Sequence, residues 1–409
     1  MSAIVTFARN RIAYTATKYL AREGIKVITC DSVFPAMTFF SIYSKAYFFY
    51  PSYFKQPLGF VDTLLKNVQK IRPTVLMPMF EETYILARFQ NKFTRYTRLP
   101  ITSFKKLMIA RDKLLIIKVA RELGIPVPDM WIVENWNDLA RISKEVDYPL
   151  VIKPRRARGA KGVNYVFSKK ELSRSFKNTM NLFNAESPEY PLVQEYVPGT
   201  GYGVSMLFNQ GELRAKFVHR RIVEYPVTGG ASVERVSTRH PKMEEYAERL
   251  LAHLEWHGVA MVEFKLDART KKPVMMEVNP RFWGSLNQAV CAGVNFPYLL
   301  YRMAVDGDVS HVLNYRLGVK TRWFFGYARA VIDSLAKLKK PSYVLKNFLK
   351  FYQRNMYYDE FSVEDPKPFL MEPIPFLVQF LRNGELDVYE SIDEALKIIE
   401  GEENILDKF

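Results

Sequence analysis

Two short segments of alternating apolar and polar residues constrain the fold of this chain most strongly. Residues 262–267 read VEFKLD, and residues 275–279 read MMEVN after the turn-like ARTKKP. This alternation predicts a hairpin of two half-buried strands. Since side chains alternate with a period of two, a hairpin centred on that turn places Glu263 opposite Glu277, with Asn279 on the same face.

The three polar side chains of this hairpin predict a metal site. Carboxylates that face each other across two strands repel, so a pair such as Glu263 and Glu277 destabilises a sheet unless a cation lies between them. Two carboxylates with the amide oxygen of Asn279 form the set of hard oxygen ligands that Mg²⁺ takes beside nucleotide phosphates. The alternative at this point is a solvated polar face of an ordinary hairpin.

A basic, glycine-containing loop follows the segment VIKP at residues 151–154. Lys153 leaves a predicted strand, and the loop RRARGAKG at residues 155–162 offers backbone N–H groups and four cationic side chains to phosphate oxygens. The alternative is a solvated basic turn. A third segment, VQEYVPG at residues 193–199, predicts a strand that ends in a turn. It suits the edge of an adenine ring, although an ordinary strand end is the simpler interpretation.

The amino terminus predicts an open parallel sheet. Residues 3–8 and 25–30 are predicted strands on either side of a helix at residues 11–23. The loop after the first strand reads RNR and lacks G-x-G-x-x-G, so a dehydrogenase is disfavoured. A further helix and a strand at residues 74–77 extend this sheet over about residues 1–100. Glu81 and Glu82 follow that strand and are either amine contacts or surface residues.

The charge balance favours anionic partners. The 409 residues contain 59 Lys and Arg against 43 Asp and Glu, a net charge of +16. Phosphorylated substrates and acidic membranes fit this balance, and solvated surface lysine is the alternative. The sequence contains no zinc-finger spacing and no RNP-like motif, so nucleic acid is disfavoured as a partner. Only two cysteines are present, which predicts a reducing, cytoplasmic location, and no transmembrane segment is expected.

An aromatic segment leaves a membrane interpretation open. Nine aromatic residues lie within residues 39–54, and beyond residue 310 the sequence is predicted to be helical and basic. Its lysines include Lys337, Lys339, Lys340, Lys346 and Lys350. Together these features allow peripheral contact with an anionic membrane. The alternative for the aromatic segment is a core strand with an interdomain contact.

Six motifs in order resemble the ATP-grasp superfamily, particularly its carboxylate-amine ligases and the carbamoyl-phosphate synthetase large subunit. They are RDK at 111–113, VIKP at 151–154, GAKG at 159–162, QEYVPG at 194–199, VEF at 262–264 and MEVNPR at 276–281. The resemblance covers about residues 1–310 and implies a mixed α/β and α+β fold. It implies a pre-ATP-grasp domain with an open parallel sheet at 1–100 and an ATP-grasp domain at 101–310 with a lid subdomain at about 125–198. A mainly helical, basic region follows at 311–409.

The resemblance also implies roles for individual residues. The nucleotide contacts would be Lys113, Lys153, Gly159, Ala160, Lys161 and Gly162 for the phosphates and Gln194, Glu195 and Val197 for adenine. The ligands of one or two Mg²⁺ ions, with Mn²⁺ as a substitute, would be Glu263, Glu277 and Asn279. Arg281 would face the transferring phosphoryl group, where a planar cation suits the charge. The acidic ribose ligand common in the family is replaced here by Gly199-Thr-Gly-Tyr-Gly203.

The expected reaction joins a carboxylate to an amine. A small-molecule carboxylate attacks ATP to give an acyl phosphate, an amine displaces the phosphate, and no Ser or Cys nucleophile is required. Arg220 or Arg221 is expected to contact the acyl phosphate or the substrate carboxylate, and a solvated basic strand is the alternative. Two other functions stay open: an enzyme that activates bicarbonate or carbamate, and a non-catalytic nucleotide-binding protein at a membrane surface. A homodimer is the expected assembly.

Overall fold

The computed structural model describes residues 1–157, 159–183, 185, 189–226, 229–336, 342, 355–383 and 391–406. These residues form three β-sheets with helices packed around them. The amino-terminal sheet is parallel, in the order β3-β2-β1-β4. Its strands are β1 (Ser2–Val5), β2 (Lys26–Asp31), β3 (Ser44–Phe49) and β4 (Val75–Met77). The predicted open parallel sheet is therefore confirmed.

Four helices accompany this sheet, and the sequence provides caps at both ends of the first. They are α1 (Arg11–Arg22), α2 (Pro57–Ile71), α3 (Glu82–Arg88) and α4 (Gln90–Phe93). Asn10 caps α1 by accepting a hydrogen bond from the N–H of Ile12 at 3.0 Å. Gly24, at a φ of 77°, turns the chain back after the helix because glycine adopts the left-handed region without strain.

The aromatic segment does not form a core strand. Strand β3 lies at the edge of the amino-terminal sheet, and Tyr47 and Phe49 are 49% and 47% exposed. The buried aromatic residues of the segment flank the strand: Phe39 lies before it, and Tyr50, Tyr53 and Phe54 lie after it. The prediction of a core strand is therefore wrong for β3, because only one side of the strand pairs with a neighbour in the described sheet.

A small antiparallel sheet, in the order β5-β8-β6-β7, lies in the segment for which the sequence predicts a lid subdomain, and we refer to it and its helices as the lid. Its elements are β5 (Met130–Trp131), α7 (Trp136–Glu145), β6 (Leu150–Lys153), β7 (Asn164–Val166), α8 (Lys169–Phe183) and β8 (Leu192–Glu195). One face of the sheet packs on α7 and α8 and forms a hydrophobic core separate from the main one. Two helices, α5 (Phe104–Arg111) and α6 (Lys113–Glu122), connect the amino-terminal sheet to this lid.

The central sheet has seven strands in the order β13-β12-β9-β10-β11-β14-β15. The strands are β9 (Gly199–Asn209), β10 (Glu212–Tyr225), β11 (Ala231–Thr238), β12 (Gly258–Asp267), β13 (Pro273–Asn279), β14 (Lys320–Arg322) and β15 (Met356–Tyr358). Helices α9 (Pro241–His253), α10 (Leu286–Ala292) and α11 (Phe296–Asp306) pack around it. The predicted hairpin is confirmed as β12 and β13, and Glu263 pairs with Glu277 in register.

The carboxy-terminal region combines helices with two strands of the central sheet. The helices are α12 (Phe324–Ala336), α13 (Lys367–Met371), α14 (Pro373–Asn383) and α15 (Ile392–Leu406). Because β14 and β15 lie beyond residue 310, this region also completes the central sheet. The basic residues Lys337, Lys339, Lys340, Lys346 and Lys350 lie outside the described residues. Within the described part of the chain, every helix is too short or too polar to span a bilayer.

Candidate active site

The predicted carboxylate cluster is present on one face of the β12–β13 hairpin. Glu263 and Glu277 are directly paired, and the side-chain N–H of Asn279 donates to Glu263 Oε1 at 2.8 Å. Among the described residues, no group of three His, Cys, Asp or Glu side chains is arranged to hold a metal ion. A cation at this face would therefore need the amide oxygen of Asn279 as its third protein ligand.

Cations lie near the two carboxylates, and the pKa values of Glu263 and Glu277 shift in opposite directions. Burial raises the pKa of Glu263, and the neighbouring charge of Glu277 adds to this effect while Arg221 opposes it. Burial acts on Glu277 in the same direction, but Lys113 and Lys153 outweigh it and leave the pKa of Glu277 below its usual value. The face thus holds a negative charge that is already partly balanced by fixed cations.

Two lysines reach this face from different elements. Lys113 is the first residue of α6, and its Nζ lies 3.3 Å from Glu277 Oε2 and donates to the carbonyl of Ala157 at 2.8 Å. Lys153 ends β6 of the lid and is 6% exposed. Burial, together with the like charge of Lys113, lowers the pKa of Lys153 to about 7. Among the described residues no carboxylate forms an ion pair with Lys153.

The basic loop after Lys153 is anchored to the start of α6. Asp112 caps α6 by accepting from the N–H of Leu114 at 2.9 Å. The same carboxylate binds Arg155 at 2.7 Å and Arg156 at 3.1 Å. These two arginines, which the sequence offered to phosphates, therefore hold the loop in place, and Arg158 lies outside the described residues. The N-cap position of Asp112 before an apolar helix was the signal that could have revealed this role.

Residues 159–162 form a turn that consists of Gly159, Ala160, Lys161 and Gly162. Gly162 has a φ of 75°, and a Cβ there would lie 2.3 Å from the ring of Phe183. Both facts require glycine at this position. The turn therefore approaches α8 at a distance that no other residue allows.

The predicted adenine segment leads from β8 of the lid into β9. Strand register places Gln194 opposite Val151. Lys153 lies two residues after Val151 on β6, so Lys153 and Gln194 lie on the same face of the lid sheet. Gln194 is buried, and its Nε2 has no hydrogen-bond partner among the described residues. The carbonyl of Val197 accepts from Lys265 at 2.9 Å. Lys265 lies two residues after Glu263 on β12, so strand alternation could have predicted that Lys265 shares the face of Glu263.

Glu195 is held by neighbours other than a nucleotide. Its carboxylate accepts from Arg269 at 2.6 Å and from the N–H of Asp129 at 3.3 Å. Its own N–H donates to the carbonyl of Asp129 at 2.9 Å. A contact between Glu195 and adenine is therefore not available to the carboxylate in this arrangement.

Of the two arginines that the sequence left open, the structure brings Arg221 to the carboxylates. Arg221 forms an ion pair with Glu263 and donates to Glu224 at 3.2 Å and to the carbonyl of Gly230 at 3.1 Å. Arg220 is exposed, and strand alternation points its side chain to the opposite face of the sheet. The geometry thus favours Arg221 over Arg220 as a contact to substrate.

Two glycines on β9 leave space for side chains of the neighbouring strand β10. Gly203 pairs with Glu263 on one side and with His219 on the other, and a Cβ there would lie 2.3 Å from the imidazole of His219. A Cβ at Gly201 would lie 2.8 Å from Arg221 Cδ. Burial and the nearby charge of Arg221 hold the pKa of His219 well below its usual value, so this imidazole is neutral. In the segment that lacks an acidic ribose ligand, Gly201 and Gly203 therefore leave room for the side chains of Arg221 and His219.

Arg281 follows the hairpin and faces the amino-terminal sheet. Its guanidinium carbon lies 4.4 Å from the ring centroid of Phe80, and its Nη1 donates to the carbonyl of Phe282 at 2.9 Å. Glu82, after β4, is buried and accepts from Thr6 at 2.5 Å and from the N–H groups of Met79 and Phe80. Burial raises the pKa of Glu82. Surface placement of Glu81 and Glu82 is therefore wrong, since both are buried, and Glu82 holds the loop after β4.

Comparison with known proteins agrees with this geometry. Residues 187–326 match the family described as ATP-grasp in the biosynthetic pathway with Ter operon, and residues 112–199 match the carbamoyl-phosphate synthase L chain, ATP binding domain. The fold resembles the biotin carboxylase domain of 2-oxoglutarate carboxylase from Hydrogenobacter thermophilus, solved with MgADP, ADP and bicarbonate. That match has a TM-score of 0.65 at 15% identity and covers 78% of this chain and 73% of the other. The part of the chain covered by these two matches is therefore similar in sequence to ATP-grasp domains.

Two relatives of established name share part of the sequence. The carbamoyl phosphate synthase large chain of Pyrococcus furiosus is 25% identical over 231 residues, which are 54% of this chain and 20% of that protein. The D-alanine–D-alanine ligase of Carboxydothermus hydrogenoformans is 28% identical over 189 residues, which are 42% of this chain and 59% of that protein. The matched stretch thus spans a fifth of the first relative and just under three fifths of the second.

Proposed function

We propose that the chain is an ATP-dependent ligase that activates a carboxylate as an acyl phosphate and joins it to an amine, releasing ADP and phosphate. The observation that carries this proposal is the convergence of Glu263, Glu277 and Asn279 beside Lys113 and Lys153. Carboxylates from the central sheet and a lysine from the lid meet across one cleft, which is the arrangement that metal-bound nucleotide phosphates require.

Two features of the chain fit ATP and Mg²⁺. The buried lysine of the lid, Lys153, lacks an ion pair among the described residues, and the buried Nε2 of Gln194 on the same face lacks a hydrogen-bond partner. Phosphate oxygens and a ring nitrogen of adenine would satisfy these groups. Mg²⁺, or Mn²⁺ in its place, would be held by Glu263, Glu277 and Asn279 and would neutralise charge on the phosphates.

The residues of the cleft then have separate tasks. Lys113 and Lys153 bind phosphate oxygens, while the turn at residues 159–162 covers them. A carboxylate oxygen of the substrate attacks the γ-phosphorus as the bond to ADP breaks, and Arg281 stabilises the charge of the transferring group. An amine nitrogen then attacks the acyl carbon, loses a proton and displaces phosphate. Arg221 orients the acyl phosphate, for which its planar guanidinium is suited.

ADP release tests this proposal directly. The purified chain is assayed with MgATP against a panel of small carboxylates and amines, and release that requires one acid and one amine supports it. We expect E277Q to lower the rate at least 100-fold, because losing a metal-ligand charge removes stabilisation of the transferring phosphoryl group. The control is E122Q, at an exposed position of α6. Nucleotide binding without ADP formation from any pair contradicts the proposal.

A second candidate is activation of bicarbonate or carbamate. It is favoured by the similarity to a carbamoyl phosphate synthase large chain. ADP formation that depends on bicarbonate alone would support it against the first candidate. In both cases the substrates are small molecules, and a homodimer and a reducing cytoplasmic location, which suits two free buried cysteines, are part of the proposal.

Peripheral membrane contact rests on a different observation. The ring of Phe49 on the edge strand β3 contacts the rings of Tyr47 and Phe34, and the side chains of Phe34, Tyr47 and Phe49 are 63%, 49% and 47% exposed. Sedimentation with anionic vesicles at two salt concentrations tests this contact, because attraction of a basic chain to the surface fades with salt. Absence of sedimentation at low salt contradicts it.

A further inference from the structure

Arg281 lies at one end of a stack in which two aromatic rings, Phe7 and Phe80, are flanked by two guanidinium groups. The rings of Phe7 and Phe80 are stacked, with centroids 4.8 Å apart and an interplanar angle of 12°. The guanidinium carbon of Arg281 lies 4.4 Å from the centroid of Phe80, and that of Arg9 lies 5.0 Å from the centroid of Phe7. The stack therefore joins the loops after β1 and β4 to Arg281, which lies two residues after the end of β13.

The aromatic half of this stack is fixed by the amino-terminal sheet. Phe7 is buried and has a φ of 56°, a left-handed conformation that a bulky residue adopts only where its surroundings require it. Its N–H donates to the hydroxyl of Tyr50 at 3.1 Å. The N–H of Phe80 donates to the buried carboxyl of Glu82 at 3.0 Å. Both rings thus stand on backbone that buried hydrogen bonds hold in place.

The cationic end of the stack is held differently from the other arginines near the site. Arg221 is paired with Glu263, and Arg155 is paired with Asp112. Among the described residues no carboxylate forms an ion pair with Arg281, which contacts the carbonyl of Phe282 and the face of Phe80. An aromatic face directs a guanidinium without neutralising its charge, and the charge stays available to an anion.

We propose that Phe80, backed by Phe7, is a positioning residue that holds Arg281 toward the transferring phosphoryl group. The inference rests on the proposed function, since it takes Arg281 as a contact to that group. The amino-terminal sheet, where open sheets bind ligands at the carboxyl ends of their strands, thereby aligns a residue of the phosphoryl-transfer site. A carboxylate in place of Phe80 would hold the same side chain but cancel its charge.

The test uses three variants of the full chain. F80L removes the aromatic face and keeps an apolar side chain, while F80Y keeps the face. F89L is the matched control, because Phe89 lies in the same domain and contacts the cation of Lys92 at 4.9 Å. The probe is MgADP, measured by calorimetry with and without aluminium fluoride, which imitates the transferring phosphoryl group. ADP release is measured in parallel on the best acid and amine pair.

We expect F80L to lose about tenfold of the tightening that aluminium fluoride gives, ~1.4 kcal/mol, with the affinity for MgADP alone unchanged. The kcat of F80L falls by a similar factor with an unchanged KM for ATP, and F80Y and F89L behave as the parent chain. The inference is overturned if F80L keeps the full tightening, if it loses affinity for MgADP equally, or if the parent chain shows no tightening. A parent chain that tightens on the probe but releases no ADP with any pair would instead count against the proposed function alone.

Discussion

Burial changes the ionisation of Lys153, and an experiment near neutral pH can follow this change. Its pKa is lowered to about 7, so in the protein without nucleotide a large share of it is neutral at pH 8. Phosphate oxygens favour the ammonium form. We expect MgATP binding at pH 8 to take up most of one proton, roughly 0.9 by the lowered pKa, and affinity to weaken as pH rises above 7. Calorimetry in buffers of different ionisation enthalpy measures this uptake.

The control for this experiment is K153M, which cannot take up the proton. Stability provides a second readout with a definite sign. Because the folded pKa lies below that of the unfolded chain, the unfolded chain binds more protons between the two values, and stability of the parent rises with pH in that window. K153M should lack this rise. Equal proton uptake in both proteins would contradict the assignment of Lys153.

The sequence could predict the residues of the cleft where strand alternation fixes a face. Glu263, Glu277 and Asn279 lie on a hairpin with a recognisable turn, so their convergence followed from the period of two. Arg220 and Arg221 are adjacent, and the choice between them depends on which face of β10 meets the cleft. That choice is set by the position of Glu263 on β12, which alternation on β10 alone does not reveal.

At the scale of elements, Asp112 connects a helix to a loop. It caps α6 and binds both Arg155 and Arg156, so the loop of the lid starts from a fixed point. We expect D112A to lose about 2–4 kcal/mol of the free energy of unfolding, from the lost cap and from two guanidinium groups left without their carboxylate. We also expect the KM for ATP to rise, because the loop that carries the phosphate contacts is no longer anchored. Chemical denaturation and ADP release measure the two effects.

The matched control is N135A. Asn135 caps α7 of the lid with a capping box, and no hydrogen bond among the described residues joins its side chain to the basic loop. Its loss should cost about 1 kcal/mol of unfolding free energy and leave the KM for ATP unchanged. If both variants raise the KM equally, general loosening of the lid explains the effect, and the anchoring role of Asp112 is wrong.

Element types were predictable where caps and periodicity agree. Helix α1 lies within a residue of its predicted bounds, because Asn10 and Gly24 delimit it. The aromatic strand β3 was misassigned to the core. Hydrophobicity predicts that a strand forms, but not whether a further strand pairs with its outer edge.

At the scale of the whole molecule, a buried ion pair joins the carboxy-terminal region to the central sheet. Arg235 of β11 and Asp359, just after β15, pair with each other and are fully buried. Arg11 of α1 lies 3.5 Å from the same carboxylate. We expect D359N to lose roughly 3–5 kcal/mol of unfolding free energy, because it leaves a buried guanidinium without its partner. Denaturant unfolding measures the loss.

The control for this pair is E245Q. Glu245 forms an exposed ion pair with Lys242 on α9, and such pairs contribute about 0–1 kcal/mol. A D359N variant as stable as E245Q would contradict the role of the buried pair. The sequence analysis placed a domain boundary near residue 310, and strands β14 and β15 could not be assigned to the central sheet from three residues each.

The lid has a hydrophobic core of its own, and this has a consequence for how the protein responds to its nucleotide. A ligand held by Lys153 of the lid and by Glu277 of the central sheet would act as a crosslink between two parts of the chain that have separate hydrophobic cores. Binding would then raise the free energy of opening the lid, and this increase would grow with the logarithm of nucleotide concentration. Hydrogen exchange of amides in β6 and β8 should slow by that amount, while exchange in the amino-terminal sheet should not. Nucleotide concentration would thus set how often the lid comes apart from the central sheet.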